Sequence, residues 1–166
     1  MAYEGEALDA NDQLASELVS KAIEQTEGAN AELRELAHGI LPSVLAHGGL
    51  PAGVKALAGR MPLPVEVELS ARRLSPAVEA TAYFVVAEAL TNVAKHARAE
   101  RAAVTASVED GTLVVHVRDD GVGGAQRDGS GLLGLADRLA VLDGRLDIES
   151  PADGGTLVAA TIPLAG

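Results

Sequence analysis

The sequence predicts an α+β protein, a two-layer α/β sandwich preceded by a helical segment, and three observations carry that prediction. First, Val65, Val67 and Leu69 alternate with polar residues at period two, as a half-buried strand requires, and two further alternating runs, 104–108 and 113–117, face each other across Asp110-Gly111. Second, residues 75–97 (SPAVEATAYFVVAEALTNVAKHA) form the longest helical signal, with Val86, Leu90, Val93 and Ala97 on one apolar stripe. Third, from residue 65 onward the elements read strand, helix, strand, strand, helix, strand, strand. Hairpins with helices segregated to one side build a sandwich of one sheet and one helical layer.

Composition narrows the function. The 166 residues are 48 % hydrophobic, enough for one domain with an appendage. No apolar run approaches a membrane span and no signal peptide is visible, so neither a membrane segment nor export is expected. Zero cysteines exclude disulfides and thiolate metal sites and fit a cytoplasmic location. A net charge of −11, with one Phe, two Tyr and no Trp, argues against nucleic-acid binding, which needs cationic patches and stacking platforms. An anionic ligand would therefore need a metal ion or backbone N–H groups.

Taken in order, residues 1–11 are small and acidic without periodicity. A helix is expected over 12–40, with Leu14, Leu18, Ala22, Ala29, Leu33, Leu36 and Ile40 on a stripe that calls for a partner helix, ending near Gly39 because Pro42 cannot continue it. A turn around Gly48-Gly49 then leads to a short helix from Pro51. Met61-Pro-Leu-Pro64 reads as a rigid joint, which places the domain boundary near residue 60 and divides the chain into 1–60 and 61–166. Beyond it, Ser75 is the N-cap and Pro76 the first residue of the long helix. The hairpin follows, then a glycine-rich loop over 122–130, a helix over 132–142 closed by Gly144, and strands at 146–149 and 157–162 around Asp153-Gly154-Gly155.

The polar residues that interrupt these patterns are the candidates for chemistry. Glu88, Asn92 and His96 stand one turn apart with Lys95 beside them, so a carboxylate, an amide and a cation share one stripe; it faces either a bound ion with its phosphates or plain solvent. Asp119-Asp120-Gly121-Val122-Gly123 leaves a strand end with an acid and glycines, which suits a flat ligand carrying an amine donor and equally suits a strand-end turn. Gly129-Ser-Gly131-Leu-Leu-Gly134 matches the dinucleotide fingerprint G-x-G-x-x-G letter for letter. That fingerprint needs a strand running straight into a tight turn, whereas here a loop of about ten residues intervenes after a hairpin. What survives is a helix N-terminus able to receive phosphate. No GxxxxGK[ST] is present.

Together these motifs resemble a family. Glu88-Ala-Leu-Thr-Asn92-Val-Ala-Lys95-His96 is similar to the N-box, Asp119-Asp-Gly121-Val-Gly123 to the G1 box, Gly129 to Gly134 to the G2 box and Gly154-Gly-Thr156 to the last glycine motif of sensor histidine kinases, in order and spacing over about residues 64–166. The resemblance implies the Bergerat or GHKL ATPase fold, and TNVAKHA with ELRELAHGILP points to the nitrate- and desaturation-sensor subfamily of two-component kinases. It implies that Asn92 ligates Mg²⁺, that Glu88 holds a water on that ion, and that Lys95 and His96 lie near the phosphates of ATP. Asp119 would accept the adenine amine, Gly121 and Gly123 would give room, and Thr156 would support the pocket. Gly129, Gly131, Leu132 and Gly134 would form the lid hinge and the phosphate-binding helix start. The histidines are His38, His47, His96 and His116, none followed by an acid as a phosphoacceptor would be. The resemblance thus implies a catalytic domain behind part of a dimerisation region, with ATP, Mg²⁺, a phosphoacceptor helix, a response regulator and a second copy of the chain as partners. The alternative is a non-kinase or anti-sigma-type serine kinase module of the same fold, acting through protein interaction.

Overall fold

The computed structural model describes residues 43–70, 72–125 and 130–164. The helix expected over 12–40 with its partner seam, His38, and Gly129 lie outside the described residues. In chain order the elements are α1 (Ser43–Ala58), β1 (Val65–Leu69), α2 (Pro76–Asn92) running into a π-helical turn (Val93–Ala97), β2 (Ala102–Glu109), β3 (Thr112–Asp119), α3 (Ser130–Ala140), β4 (Arg145–Glu149) and β5 (Thr156–Pro163). None of these helices is long and apolar enough to cross a membrane.

The strands form one five-stranded sheet in the order β1-β2-β3-β5-β4. The β2–β3 hairpin turns where the sequence places it: Asp110 and Gly111 both take positive φ (47° and 74°), as a primed turn demands. Antiparallel pairing continues from β3 to β5 and from β5 to β4. One pair departs from the expectation of hairpins alone. β1 runs parallel to β2, Val65 opposite Ala102, because α2 lies between them as a crossover and returns the chain to the same end of the sheet.

α2 is buried along most of its length, and Ala82, Val85, Val86, Ala89 and Leu90 pack on the inward face of the sheet, formed by Val104 and Ala106 of β2, Leu113, Val115 and Val117 of β3, and Val158, Ala160 and Ile162 of β5. α3 adds Leu135 and Leu139, and its Arg138 guanidinium sits 5.1 Å from the Phe84 ring centroid, a cation–π contact joining the helices. Each buried valine, leucine or isoleucine among them contributes about 1.5–3 kcal/mol by leaving water. His116 is exposed on the opposite face of the sheet, with Thr105 and Ala159 beside it in register.

Two sequence expectations need correction. The joint at residues 61–64 does not bound the packed unit, which takes in α1: Leu50 and Val54 belong to the same core as α2. The helix there begins at Ser43, before the expected turn, and is kinked at Gly49 (φ 68°, ψ −171°). The long helix also does not stay α-helical to Ala97. The Val93 N–H is shared between the Ala89 and Leu90 carbonyls, the last turn widens to π geometry, and Arg98 ends it in the left-handed region (φ 50°). His96 therefore leaves the straight row through Glu88 and Asn92.

Candidate active site

Two adjacent acids at the end of β3 have separate tasks. Inward residues of β3 alternate as Leu113, Val115, Val117 and Asp119, so Asp119 takes the next core-facing place and is only 6 % exposed. Its Oδ1 accepts the Gly121 N–H at 2.8 Å, which leaves Oδ2 as an acceptor for a ligand donor. Asp120 points away. Its Oδ1 accepts the N–H groups of Glu100 (2.9 Å) and Arg101 (3.1 Å), and its Oδ2 meets Arg101 Nε at 3.2 Å. The Arg101 backbone N–H leads in holding its carboxyl below the ordinary value of 3.8, helped by the Glu100 N–H and the Arg101 charge against some desolvation. Asp120 thus clamps the turn after the π-helical segment.

The loop after Asp119 is fixed by close backbone approaches. Gly121 lies against the end of the π-helical turn, where a Cβ would come within 2.1 Å of the Ala97 carbonyl oxygen, and the next N–H, from Val122, donates to that oxygen at 2.9 Å. Gly123 has φ 66°, and a Cβ there would fall 1.9 Å from the Pro151 carbonyl oxygen. From the other side the Gly155 N–H donates to Gly121 O at 2.9 Å and the Asp153 N–H to Val122 O at 2.8 Å. Thr156 is the cross-strand partner of Asp119, so the two side chains share a face of the sheet. Ser150, which the sequence reading did not single out, places its Oγ 2.8 Å from Thr156 Oγ1 and accepts the Ala125 N–H at 2.9 Å. As a lone serine after a short strand it carries no periodic or motif signal.

α2 and α3 supply the other wall. Glu88, half-buried, reaches the first turn of α3, where a Cβ on Gly131 would lie 2.0 Å from its Oε1. Asn92 closes α2 one turn later, half-buried and with no side-chain capping bond. Lys95 and His96 are exposed on the π-helical turn, a geometry common at functional positions. Gly134 is exposed with open space around it. The structure therefore brings together Asp119 with Thr156, Gly121 with the end of the turn carrying Lys95 and His96, and Glu88 with Gly131.

A buried acceptor at a strand end, glycine-walled loops and a helix start facing a carboxylate agree with what the comparisons find. Residues 77–166 match the family described as histidine kinase-, DNA gyrase B-, and HSP90-like ATPase. The chain is 31 % identical to the sensor histidine kinase MctS of Rhizobium johnstonii over 93 % of its own length and 36 % of that protein's. It is 27 % identical to the oxygen sensor histidine kinase NreB of Staphylococcus carnosus, over 89 % of this chain and 44 % of the other. It thus spans less than half the length of these curated relatives. The fold is similar to the histidine kinase domain of a blue-light activated kinase from Erythrobacter litoralis (TM-score 0.58, 24 % identity, 70 % of this chain and 58 % of that one). With more than half of its length inside the matched region, the chain belongs to the histidine kinase-, DNA gyrase B- and HSP90-like ATPase family.

Proposed function

We propose that this chain is the ATP-binding catalytic domain of a two-component sensor histidine kinase, which positions Mg-ATP for phosphorylation of a histidine on a bundle helix, for onward transfer to a response regulator in the cytoplasm. The observation that carries the reading is Asp119: a carboxylate buried at the end of β3 on the same face as Thr156, one oxygen taken by the Gly121 N–H and the other without a donor among the described residues. An acceptor held in that way selects an amine donor such as that of adenine.

The residues present fit a magnesium ion. Among the described residues no group of three or more His, Cys, Asp or Glu could hold a metal, so an ion at Asn92 would take its other ligands from phosphate oxygens and waters, which is how Mg²⁺ is usually bound. When bound, the ion neutralises charge on the phosphate oxygens. Asn92 would supply an amide oxygen to it, and Glu88, one turn earlier, would orient a water on it. Lys95 and His96 would draw the phosphates to the end of α2, and the helix start at Gly131, with Gly129, Leu132 and Gly134, would receive them through backbone N–H groups. Gly121 and Gly123 let the loop close around the base without a side chain between. Catalysis by such a site is positioning plus charge stabilisation.

Two measurements test the proposal. Calorimetric titration should show Mg-ADP and Mg-ATP binding in the micromolar to millimolar range, lost or much weakened by Asp119→Asn. That variant keeps an oxygen for the Gly121 N–H but turns the other acceptor into a donor facing the ligand's amine. Labelled Mg-ATP with a separately supplied kinase bundle fragment should then label the fragment's histidine. An intact chain that binds neither nucleotide sinks the reading, and binding without label points to the non-kinase alternative.

A further inference from the structure

We propose that the cleft between the loop joining β1 to α2 and the hairpin end of the sheet is a second ligand site, which takes a medium-chain aliphatic monocarboxylate: Arg72 holds the carboxylate and an uncovered apolar floor holds the chain. Val108 in this cleft pairs with Leu113, six residues along β3 from Asp119 and so about 20 Å from it. The cleft is therefore distinct from the site built around Asp119.

The cleft has a volume of about 550 Å³, within the range of small-molecule sites, and is lined by Ser70, Arg72, Arg73, Leu74, Val108 and Leu164. Its floor is core surface left open. The inward series of β2 is buried at Ala102, Val104 and Ala106, yet Val108, the next in that series, is 42 % exposed, and Leu164 beside the hairpin is only half-buried. An aliphatic chain laid there removes that surface from water. The two cations differ in what they have left to give. Arg73 spends three of its five N–H groups on Glu79, His47 O and Ala46 O, and Glu79 offsets its charge. Arg72 is exposed and, among the described residues, has neither a hydrogen bond nor an ion pair. No carboxylate lines the cleft, although the chain carries 24 Asp and Glu against 13 Lys and Arg. One uncompensated charge on a planar fork suits a single carboxylate taken through both oxygens. Ser70 Oγ, whose bond to Ala106 O is long at 3.4 Å, can turn its proton to the same group. The backbone narrows the ligand further. The N–H groups of Ser70, Leu74 and Leu164 are already donated, to Ala106 O at 3.0 Å, Glu79 Oε1 at 3.1 Å and Gly111 O at 2.8 Å. A peptide laid in the cleft would find these donors spent and leave its own carbonyls unpaired, a cost that a ligand with one polar head does not carry.

The test is titration of sodium octanoate into the intact chain, followed by backbone amide shifts in NMR spectra, which read millimolar affinities and locate them. Acetate, octylammonium and the capped peptide acetyl-Leu-Glu-Leu-amide serve as comparisons, and urea unfolding checks each variant. Octanoate is expected to saturate one site, shifting the amides of Ser70, Arg72, Leu74, Val108 and Leu164 and leaving those of Asp119 and Gly121 in place. Acetate, which lacks the chain, and octylammonium, which reverses the charge, should bind roughly tenfold more weakly or not at all. Arg72→Gln should weaken octanoate about tenfold, the worth of a hydrogen bond to a charged group, and Val108→Asp by at least as much. Arg72 is exposed and unpaired among the described residues, so its variant decides the matter even if Val108→Asp does not fold. Failure of octanoate to saturate, shifts confined to another part of the surface, equal affinity in Arg72→Gln, or octylammonium binding as well as octanoate would each overturn the proposal. Tighter binding of the peptide than of octanoate would overturn it too, and would make the cleft a protein-docking surface.

Discussion

The ion pair joining α1 to α2 supports a prediction in which the order of two mutational costs, not only their size, is fixed by the structure. Pro51 has no N–H, so the His47 carbonyl four residues earlier has no helical donor. Arg73 fills that place: Nη1 donates to His47 O at 3.2 Å and Nη2 to Ala46 O at 3.4 Å, while Nε meets Glu79 Oε1 at 3.1 Å. The same Glu79 oxygen accepts the Leu74 N–H at 3.1 Å. The partners are unequally exposed, the Arg73 side chain at 57 % and the Glu79 side chain at 4 %. Removing Arg73 strands a charge in the core, whereas neutralising Glu79 leaves a cation free to turn into water. Breaking a buried pair costs about 3–5 kcal/mol. Because the Arg73 end is solvated, we scale the Arg73→Ala loss to about 2 kcal/mol. Glu79→Gln keeps an oxygen for the Leu74 N–H and should cost about 1 kcal/mol. Adding Glu79→Gln to Arg73→Ala removes the stranded charge, so the double variant should be no less stable than Arg73→Ala alone. Urea unfolding followed by far-ultraviolet circular dichroism reads all four proteins, with an unchanged m-value as the condition for comparing midpoints. Losses that add to within about 0.5 kcal/mol, or a Glu79→Gln costlier than Arg73→Ala, would refute the reasoning.

Three further outcomes follow from the site. Gly121→Ala should drive the loop off Ala97 and disturb the bonds at Val122 and Gly155, lowering stability by about 2 kcal/mol and nucleotide affinity at least tenfold, as urea unfolding and calorimetry would record. Gly131→Ala displaces only the mobile end of the Glu88 side chain, so the protein should fold; phosphotransfer to a bundle fragment should fall more than Mg-ATP affinity does, and the variant should add little in a Glu88→Ala background. Asp120 titrates below its ordinary 3.8 in the folded state, so its stabilisation is complete above that value and is lost as pH falls through the lowered folded value. Asp120→Asn should therefore lower the thermal midpoint at neutral pH and converge with the parent protein at pH values below the folded titration; an offset that persists unchanged there would mean that the carboxylate's charge is not what holds Glu100 and Arg101.

Most of the fold was legible because its elements repeat. Alternation located Val65–Leu69, which the structure reproduces, and Asp-Gly placed the β2–β3 turn at the residue. Periodicity reads burial and not partners, so it found each strand and missed that β1 lies parallel to β2. It also let the proline-rich joint stand as a domain boundary, when Leu50 and Val54 place α1 in the core. The π-helical turn escaped for a related reason. Spacing assumes α geometry throughout, and nothing in VAKHA marks where the hydrogen-bond ladder widens.

The site divides along the same line. Glycines that separate closely approaching backbones leave a trace in the sequence, and so does an acid that continues an inward alternation. Leu113, Val115, Val117 and Asp119 form one series, and that series alone selects Asp119 over Asp120 as the acid facing the helices, before any family motif is consulted. Asp120, one residue on, falls on the solvent side and binds backbone. Ser150, Arg73 and Glu79 act by contrast through contacts that follow no sequence period, as Ser150 to Thr156, 6 residues apart, or Arg73 to His47, 26 apart. Contacts of that kind become visible only when β4, β5 and the loop after β3 are placed side by side.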